Sequence, residues 1–510
     1  MTDQSLGELA KAIASGDVDA IQKAITNATN LVNIDLQPVA REIYPVLTPL
    51  RNMLPRVGSS NGGTATQWRA VVGINATHVR PGVSEGNRSA VITTTVTSYI
   101  AAYKTLGLED YVTFEADLSA EGFDDVKALA VRGLLRSLMI AEEVVILGGN
   151  ATLALGTCPT PTLATAAGGG AIPDATDVHV RCVAITLEGM QTASVTAGVQ
   201  LTISRTNADG SVDTFGGGAS IISADTDLTT GTPGTNDNVI TAYVTPVQGA
   251  LGYAWYWGPN AAAGCLLGGI TTINSIIIGT AAGTGTQAAN ATGITTDNST
   301  DALVFDGLIY LALGAGQENP AASASGSIVS YNATGTPGVG TPLTADGAGG
   351  VVEIENDLLS FWNASKLQPT DIFVSAQQIL DITKKVIAGG SAPLFRFVLD
   401  GASQNLAEGT IRAGSVIGNY LSKYSLSGGS LIRIRIHPNL PSGTMLYYSN
   451  ELPYQITNVG NVAQIKTRRD YWQIQWPLRT RKYEYGVYTD EVLQHYFPPS
   501  MGVRFNIAAG

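Results

Sequence analysis

Gln67-Trp-Arg-Ala-Val-Val-Gly-Ile-Asn-Ala-Thr-His78 and Ser89-Ala-Val-Ile-Thr-Thr-Thr-Val-Thr-Ser-Tyr-Ile-Ala-Ala-Tyr-Lys104 flank a polar turn, Pro81-Gly-Val-Ser-Glu-Gly-Asn-Arg88. Trp68, Ala70, Val72, Ile74 and Ala76 recur at period two. So do Ala90, Ile92, Thr94, Val96 and Ile100 in the second run, and the threonines between them favour strand through β-branching. The reading is a long two-stranded ribbon. Such a ribbon is marginal in water by itself, because it has too few neighbours to cover its apolar face. It is therefore expected to lie on something else, such as another copy of the chain. Trp68, Arg69, Arg80, Glu85 and Arg88 are the candidate contacts, the charges fixing register against a neighbour.

A helix is predicted directly after the ribbon, from Ser119 as N-cap to Leu147, with Gly148-Gly-Asn150 as its stop. Val131, Leu134, Leu135, Leu138 and Val145 form its apolar stripe, and its length would be about 43 Å. Before the ribbon, residues 2–30 have helical spacing, and Pro38, Pro45, Pro49 and Pro55 make 31–65 an irregular arm.

Residues 183–288 are nearly free of Lys and rich in Thr, Gly and Ala. Short strands alternate there with turns: Val183–Leu187, Val199–Arg205, Ser211–Phe215, Val239–Pro246, Tyr253–Trp257 and Ile270–Ile278. This predicts a β-sandwich. The aromatic strand with Tyr253, Trp255, Tyr256 and Trp257 resembles the core strand of immunoglobulin or fibronectin III-like domains. Trp255, Tyr256 and Trp257 are also candidates for glycan or host-surface binding. The alternative is that they alternate between core and surface, with the Trp pair on one face packed inside. Further on, Ile354–Asn363 reads as a helix, Asp371–Ser375 as a strand, Ala376–Ile387 as a helix and Ser430–His437 as an alternating strand.

The 510 residues suggest roughly three domains at about 150 residues each. Charged residues make up only 14% of the chain and the net charge is −12, which disfavours general phosphate-backbone binding. Three cysteines, Cys158, Cys182 and Cys265, are not a disulfide framework, so a reducing compartment is expected. The opening Met-Thr-Asp-Gln-Ser shows no secretory leader, and no apolar run suits a membrane span. No phosphate loop or nucleophile motif occurs, so no enzyme activity, cofactor or metal is expected. His179-x-x-Cys182 would need two further ligands to hold zinc, and reads as an ordinary strand. The basic cluster Lys466, Arg468, Arg469, Arg479, Arg481 and Lys482 is interleaved with Tyr471, Trp472, Trp476 and Tyr483. It would face DNA or form ion pairs and aromatic contacts between subunits. The strand alternation favours the second.

The order arm, ribbon, helix, then Phe305-Asp-Gly-Leu308, Asp371-Ile-Phe-Val-Ser-Ala-Gln377, His437-Pro-Asn-Leu-Pro-Ser-Gly-Thr444, Arg469-Asp-Tyr-Trp472 and Glu484-Tyr-Gly-Val-Tyr488 resembles the major capsid proteins of tailed bacteriophages, the Hong Kong 97-type fold. The resemblance covers about 66–180 and 300–510. It implies an α+β chain with an N-terminal arm (1–65), extended hairpin loop (66–110), peripheral domain with spine helix (111–182), an all-β immunoglobulin-like insertion (183–288), peripheral domain continued (289–359), axial domain (360–465) and closing core strands with a tail (466–510). It implies self-assembly into pentamers and hexamers of an icosahedral head around double-stranded DNA, with the insertion facing outward. Portal and decoration proteins would be further partners. Too few residues precede the ribbon for a cleaved scaffold segment, so a separate scaffolding protein is expected. Lys104 is the only Lys in the ribbon region and sits at its base, so the covalent cross-link of some members is not expected. The implied location is the virion capsid, assembled in the host cytoplasm. The alternative is a glycan- or host-binding module carried on a multimeric structural protein.

Overall fold

The computed structural model describes residues 44–59, 62–74, 80–89, 91–121, 125–231, 236–291, 294–314, 327–347, 349–388, 418–424, 429–454 and 457–510. The helix expected in 2–30 lies outside them. Contacts divide the chain into a smaller unit (Met1–Pro45, Tyr111–Ala130, Leu478–Tyr483) and a larger one (Val46–Asp110, Val131–Pro477, Glu484–Gly510). The chain is α+β.

The single helix expected from Ser119 is two. Helix α2 spans Phe114–Ser119 and is capped by Thr113, whose hydroxyl accepts from the Ala116 N–H. Helix α3 spans Val126–Gly148. Ser119 is not an N-cap, since its hydroxyl donates back to the Glu115 carbonyl. Asp125 takes that role, accepting from the Ala128 N–H at 3.1 Å. Gly122 and the Asp124-Asp125 pair are poor helix formers, which explains the interruption. At 23 residues, α3 is about 34 Å long rather than 43 Å.

In the larger unit, β2 (Ala65–Ile74) and β3 (Thr94–Ala102) form a two-stranded antiparallel ribbon with no third strand among the described residues. Trp68 pairs with Tyr99 and Val71 with Val96, and a bulge follows before Gly73 pairs with Thr95. The bulge breaks the period-two face expected on the first strand. On the second strand it is Tyr99 that is buried, not the expected Val96 face. The strand ends at Ala102. Lys104 opens the next strand, β4 (Lys104–Thr113), which joins β1 (Arg56–Gly58), β20 (Ala463–Gln475) and β21 (Lys482–His495) in the order β1-β20-β21-β4. Strand β1 follows a short helix, α1 (Pro49–Met53), and pairs in parallel with β20.

Two antiparallel sheets build the central β region. One orders β13 (Ser275–Ile278), β10 (Val239–Tyr243) and β5 (Thr162–Ala166). The other orders β12 (Leu266–Thr271), β11 (Gly252–Gly258), β6 (Asp177–Ile185) and β9 (Thr226–Thr229). Ile240, Ala242 and Ile278 of the first meet Val178, Val180, Cys182 and Trp255 of the second in one buried cluster. Strands β5 and β6 thus begin before residue 183, and Leu187 opens helix α4 (Leu187–Thr192) rather than ending a strand. Strands β7 (Thr202–Thr206) and β8 (Val212–Gly216) form a separate hairpin.

The largest sheet is mixed, in the order β14 (Ile328–Tyr331), β22 (Met501–Phe505), β19 (Met445–Tyr448), β16 (Asp371–Val374), β18 (Ser430–Ile436) and β17 (Asn419–Ser422). Helices α6 (Val352–Ser365) and α7 (Ala376–Ala388) cover one face, burying Ile354, Leu358, Phe361 and Ile382 on Ile372, Ile432 and Tyr447. Ser375 accepts from the Gln378 N–H and so starts α7. On the other face Phe373, Leu446 and Val503 join Ile146, Leu147 and the fully apolar helix α5 (Leu308–Ala312). A short pair, β15 (Thr341–Pro342) with β23 (Ile507–Ala508), completes the strands.

Candidate assembly surface

The ribbon is anchored at its base. The Trp68 ring stacks on Tyr99 at 5.7 Å and meets Tyr496 edge-on at 6.3 Å. This geometry suits aromatic quadrupoles. Away from the base the apolar side chains face solvent: Val71 is 61% exposed, Val96 54% and Val91 89%, with Val83 and Ile92 also exposed. Val71 and Val96 are direct cross-strand partners, so they form a continuous patch. Among the described residues each strand has one partner strand, so the ribbon's outer edges are open to strand pairing, a template for another chain. Arg69, Arg80, Glu85 and Arg88 are exposed as expected, and no ion pair holds them among the described residues. The tip turns at Ser84–Asn87, where the Asn87 N–H donates to the Ser84 carbonyl and Gly86 takes φ +80°.

The end of the arm is fixed to α3 by two adjacent carboxylates. Glu143 caps α1, accepting from the N–H groups of Leu50 and Arg51 at 2.8 Å each. Its Oε1 also lies 2.7 Å from Nε2 of buried His437. The Asn439 N–H donates to His437 Nδ1, so the ring proton sits on Nε2, aimed at Glu143. His437 opens the turn at 437–440, its carbonyl accepting from the Leu440 N–H at 3.3 Å, and its side chain is also a buried partner of the arm clamp. Glu142 receives Arg51 and Arg56, and Arg56 also reaches Glu491 at 2.7 Å and Asp470 at 2.8 Å. The Tyr471 hydroxyl donates to Glu142 as well. Burial, and then the neighbouring Glu491 charge, hold the Glu142 carboxyl well above its usual range; burial likewise raises Glu491. Sequence reasoning missed this clamp. Its one visible signal was a Glu142-Glu143 pair inside an apolar helical run.

The expected basic cluster is largely satisfied within the chain. In the larger unit Arg468 donates two hydrogen bonds to Asp490 Oδ2, and Arg469 lies over the Trp472 ring at 4.0 Å. Trp472 in turn stacks on Tyr488. In the smaller unit Arg481 pairs with Glu115, Lys482 lies over Tyr111, and Arg479 is exposed.

Tyr253, Trp255, Tyr256 and Trp257 are all buried: the two tryptophans pack inside on one face of the strand as the alternation implies, and Tyr256 on the other face is buried rather than at the surface. Tyr253, Trp255 and Trp257 fill the cluster between the two sheets. Tyr256 lies in a second cluster with Cys265, Leu267 and Ile294, where Val199 and Ile222 from before β11 also cover the other face. Their polar atoms are occupied: Trp255 Nε1 donates to Thr271, Tyr256 to Gln287 and Trp257 Nε1 to Thr280. None is offered to a ligand.

No family model and no curated protein sequence matches the chain. Solved structures resemble it at low identity. The capsid of Myoviridae phage XM1 is 9% identical, over 94% of this chain and 98% of that one, with a TM-score of 0.39. The capsid of a native GTA particle is 9% identical over 95% and 98%, TM-score 0.42. The cyanophage A-1(L) capsid is 12% identical over 94% and 98%, TM-score 0.40.

Proposed function

We propose that the chain is the major capsid protein of a tailed double-stranded DNA bacteriophage, with a Hong Kong 97-type fold, which self-assembles into pentamers and hexamers of an icosahedral head. The observation that carries this reading is the ribbon, tied down at Trp68 and bare beyond it, with outward valines and two open edges. The order of elements supports it: clamped arm, ribbon, long helix, and a mixed sheet whose β16-to-α7 step follows the expected Asp371–Gln377 pattern. The two-sheet region with the Tyr253–Trp257 strand is the outward immunoglobulin-like insertion. The basic residues Arg468, Arg469, Arg479 and Arg481 serve packing and subunit contacts more than DNA, since three of them already have partners in their own chain. Scaffolding, portal and decoration proteins are the further partners, and the host cytoplasm is the place of assembly. The glycan-binding alternative loses its candidate side chains to burial.

Negative-stain microscopy of the purified chain, alone and co-expressed with a scaffold, tests the reading. Shells of uniform diameter are expected, and none from a chain lacking 81–88 whose far-ultraviolet spectrum and melting are unchanged. Monodisperse monomers under every assembly condition, or normal shells from the deletion, would overturn it.

A further inference from the structure

His179 and Cys182, the only close His/Cys pair in the sequence, point to opposite faces of β6, so they share no site. Cys182 enters the buried cluster between the sheets. His179 faces the other way, and there the fold brings it different companions. Strand β9 pairs antiparallel with β6 so that Asp227 stands directly opposite His179. Asp225, two residues earlier, falls on the same face of the strand run, as does Asp177 two residues before His179. His179 Nδ1 lies 2.7 Å from Asp225 Oδ2, and Nε2 lies 3.7 Å from Asp177 Oδ2. One donor atom each from His179, Asp225 and Asp227 lies within 4.8 Å of the other two.

Two observations argue that this group serves more than an ion pair. Asp225 Oδ1 is shut off from solvent and has no hydrogen-bond partner, a costly state for a carboxylate oxygen. The nearby guanidinium does not relieve it: Arg181 spends its N–H groups on the carbonyl oxygens of Ser223 and Ala261. A protonated imidazole would satisfy Asp225 Oδ2 alone. A divalent cation would reach Oδ1 or Oδ2 of Asp225 together with Asp227.

We infer that His179, Asp225 and Asp227, with Asp177 beside them, form a binding site for a first-row divalent cation of the Zn²⁺ or Mn²⁺ class. An imidazole with carboxylates suits these ions, whereas Ca²⁺ takes oxygen ligands only. Metal–ligand bonds of about 2.0–2.2 Å set tetrahedral donor atoms about 3.3 Å apart. The His179–Asp225 contact opens by a few tenths of an ångström to admit the ion, and the other donors close in. The ion then staples β9, an edge strand, onto β6.

The test uses the full-length chain, dialysed against chelator and then titrated with ZnCl₂ and MnCl₂ in calorimetry, with bound metal counted by mass spectrometry. One ion per chain is expected. Asp227→Asn and His179→Gln should each weaken binding more than about 100-fold, the loss of a direct ligand exceeding that of a supporting group. Asp213→Asn, on the separate β7/β8 hairpin, should leave binding unchanged. Asp227 is exposed, so Asp227→Asn keeps the metal-free melting temperature and separates ligand loss from misfolding. Absence of binding in the unmodified chain, or binding in either ligand variant as tight as in the unmodified chain, would overturn the assignment.

Discussion

The double variant Val71→Thr/Val96→Thr separates folding of the subunit from its assembly. Thr keeps the shape and β-branching of Val, so the ribbon's own strand preference is retained. Both side chains are more than half exposed, at 61% and 54%. In the free chain the exchange replaces a methyl in water by a hydroxyl in water, and stability should move by less than about 0.5 kcal/mol. If a neighbouring subunit covers the patch, the sum changes. Burying a whole Val contributes about 2 kcal/mol, so the exposed parts still hold about 1 kcal/mol each. Two buried hydroxyls in place of two methyls would cost about 2 kcal/mol per ribbon contact. That is roughly a 30-fold change in an equilibrium constant. The concentration at which scattering particles first appear should therefore rise at least about 30-fold, with the melting temperature of the free chain unmoved. An unchanged assembly threshold would refute the idea that this patch meets another copy. A melting temperature that fell in parallel would show that the chain had already buried it internally.

Other outcomes follow from the base and the clamp. Trp68→Ala removes the ring between Tyr99 and Tyr496 and should cost about 3 kcal/mol in urea denaturation; a cost near zero would mean that the base does not anchor the ribbon. Arg56→Ala leaves Glu142 and Glu491 buried without their shared cation and should destabilise by about 3–5 kcal/mol, read the same way; less than 1 kcal/mol would count against the clamp. Glu142 is raised above its ordinary value of 4.5. The folded chain therefore keeps a proton that the unfolded chain releases, and this contribution is lost as pH rises from that value through the raised one. Stability in urea should decline over about pH 5 to 8, and Glu142→Gln should flatten the slope. An identical slope in the variant would place the proton elsewhere.

The sequence made local features legible and long-range ones obscure. The Asp371–Ser375 strand and Ala376–Ile387 helix appear almost as expected, because β16 is apolar on both faces and Ser375 is a helix cap written into the chain. The helix start was misplaced because an acidic N-terminal run looks the same whether the helix begins at Ser119 or after Asp125. Period two shows which side chains of the aromatic strand share a face, but not that Val199, Ala219, Ile222 and Ile294, distant in sequence, pack over the other face and bury Tyr256. Asp225, the carboxylate in contact with His179, lies 46 residues downstream, so no local motif could reveal it. Arg504 and Asp357, a buried pair 147 residues apart, were invisible for the same reason.

The contrast between the ribbon's base and its outer part also bears on how copies would associate. At the base the aromatic stack is complete. Beyond it five apolar side chains are uncovered among the described residues: Val71, Val83, Val91, Ile92 and Val96. Covering them would yield about 1 kcal/mol each, so roughly 5 kcal/mol for one ribbon laid on one neighbour. Bringing two chains together costs between about 4 and 15 kcal/mol in lost freedom. A single ribbon contact therefore comes close to cancelling, and an isolated dimer held by it alone should not accumulate. Closure changes the balance, because each further contact in a ring or shell forms between partners already held near one another. The ribbon is thus weak enough to be reversible singly and strong enough to be decisive when repeated. Sedimentation should accordingly show free chains and closed assemblies with little between them, whereas a dominant stable dimer at micromolar concentration would mean that some larger surface than the ribbon governs association.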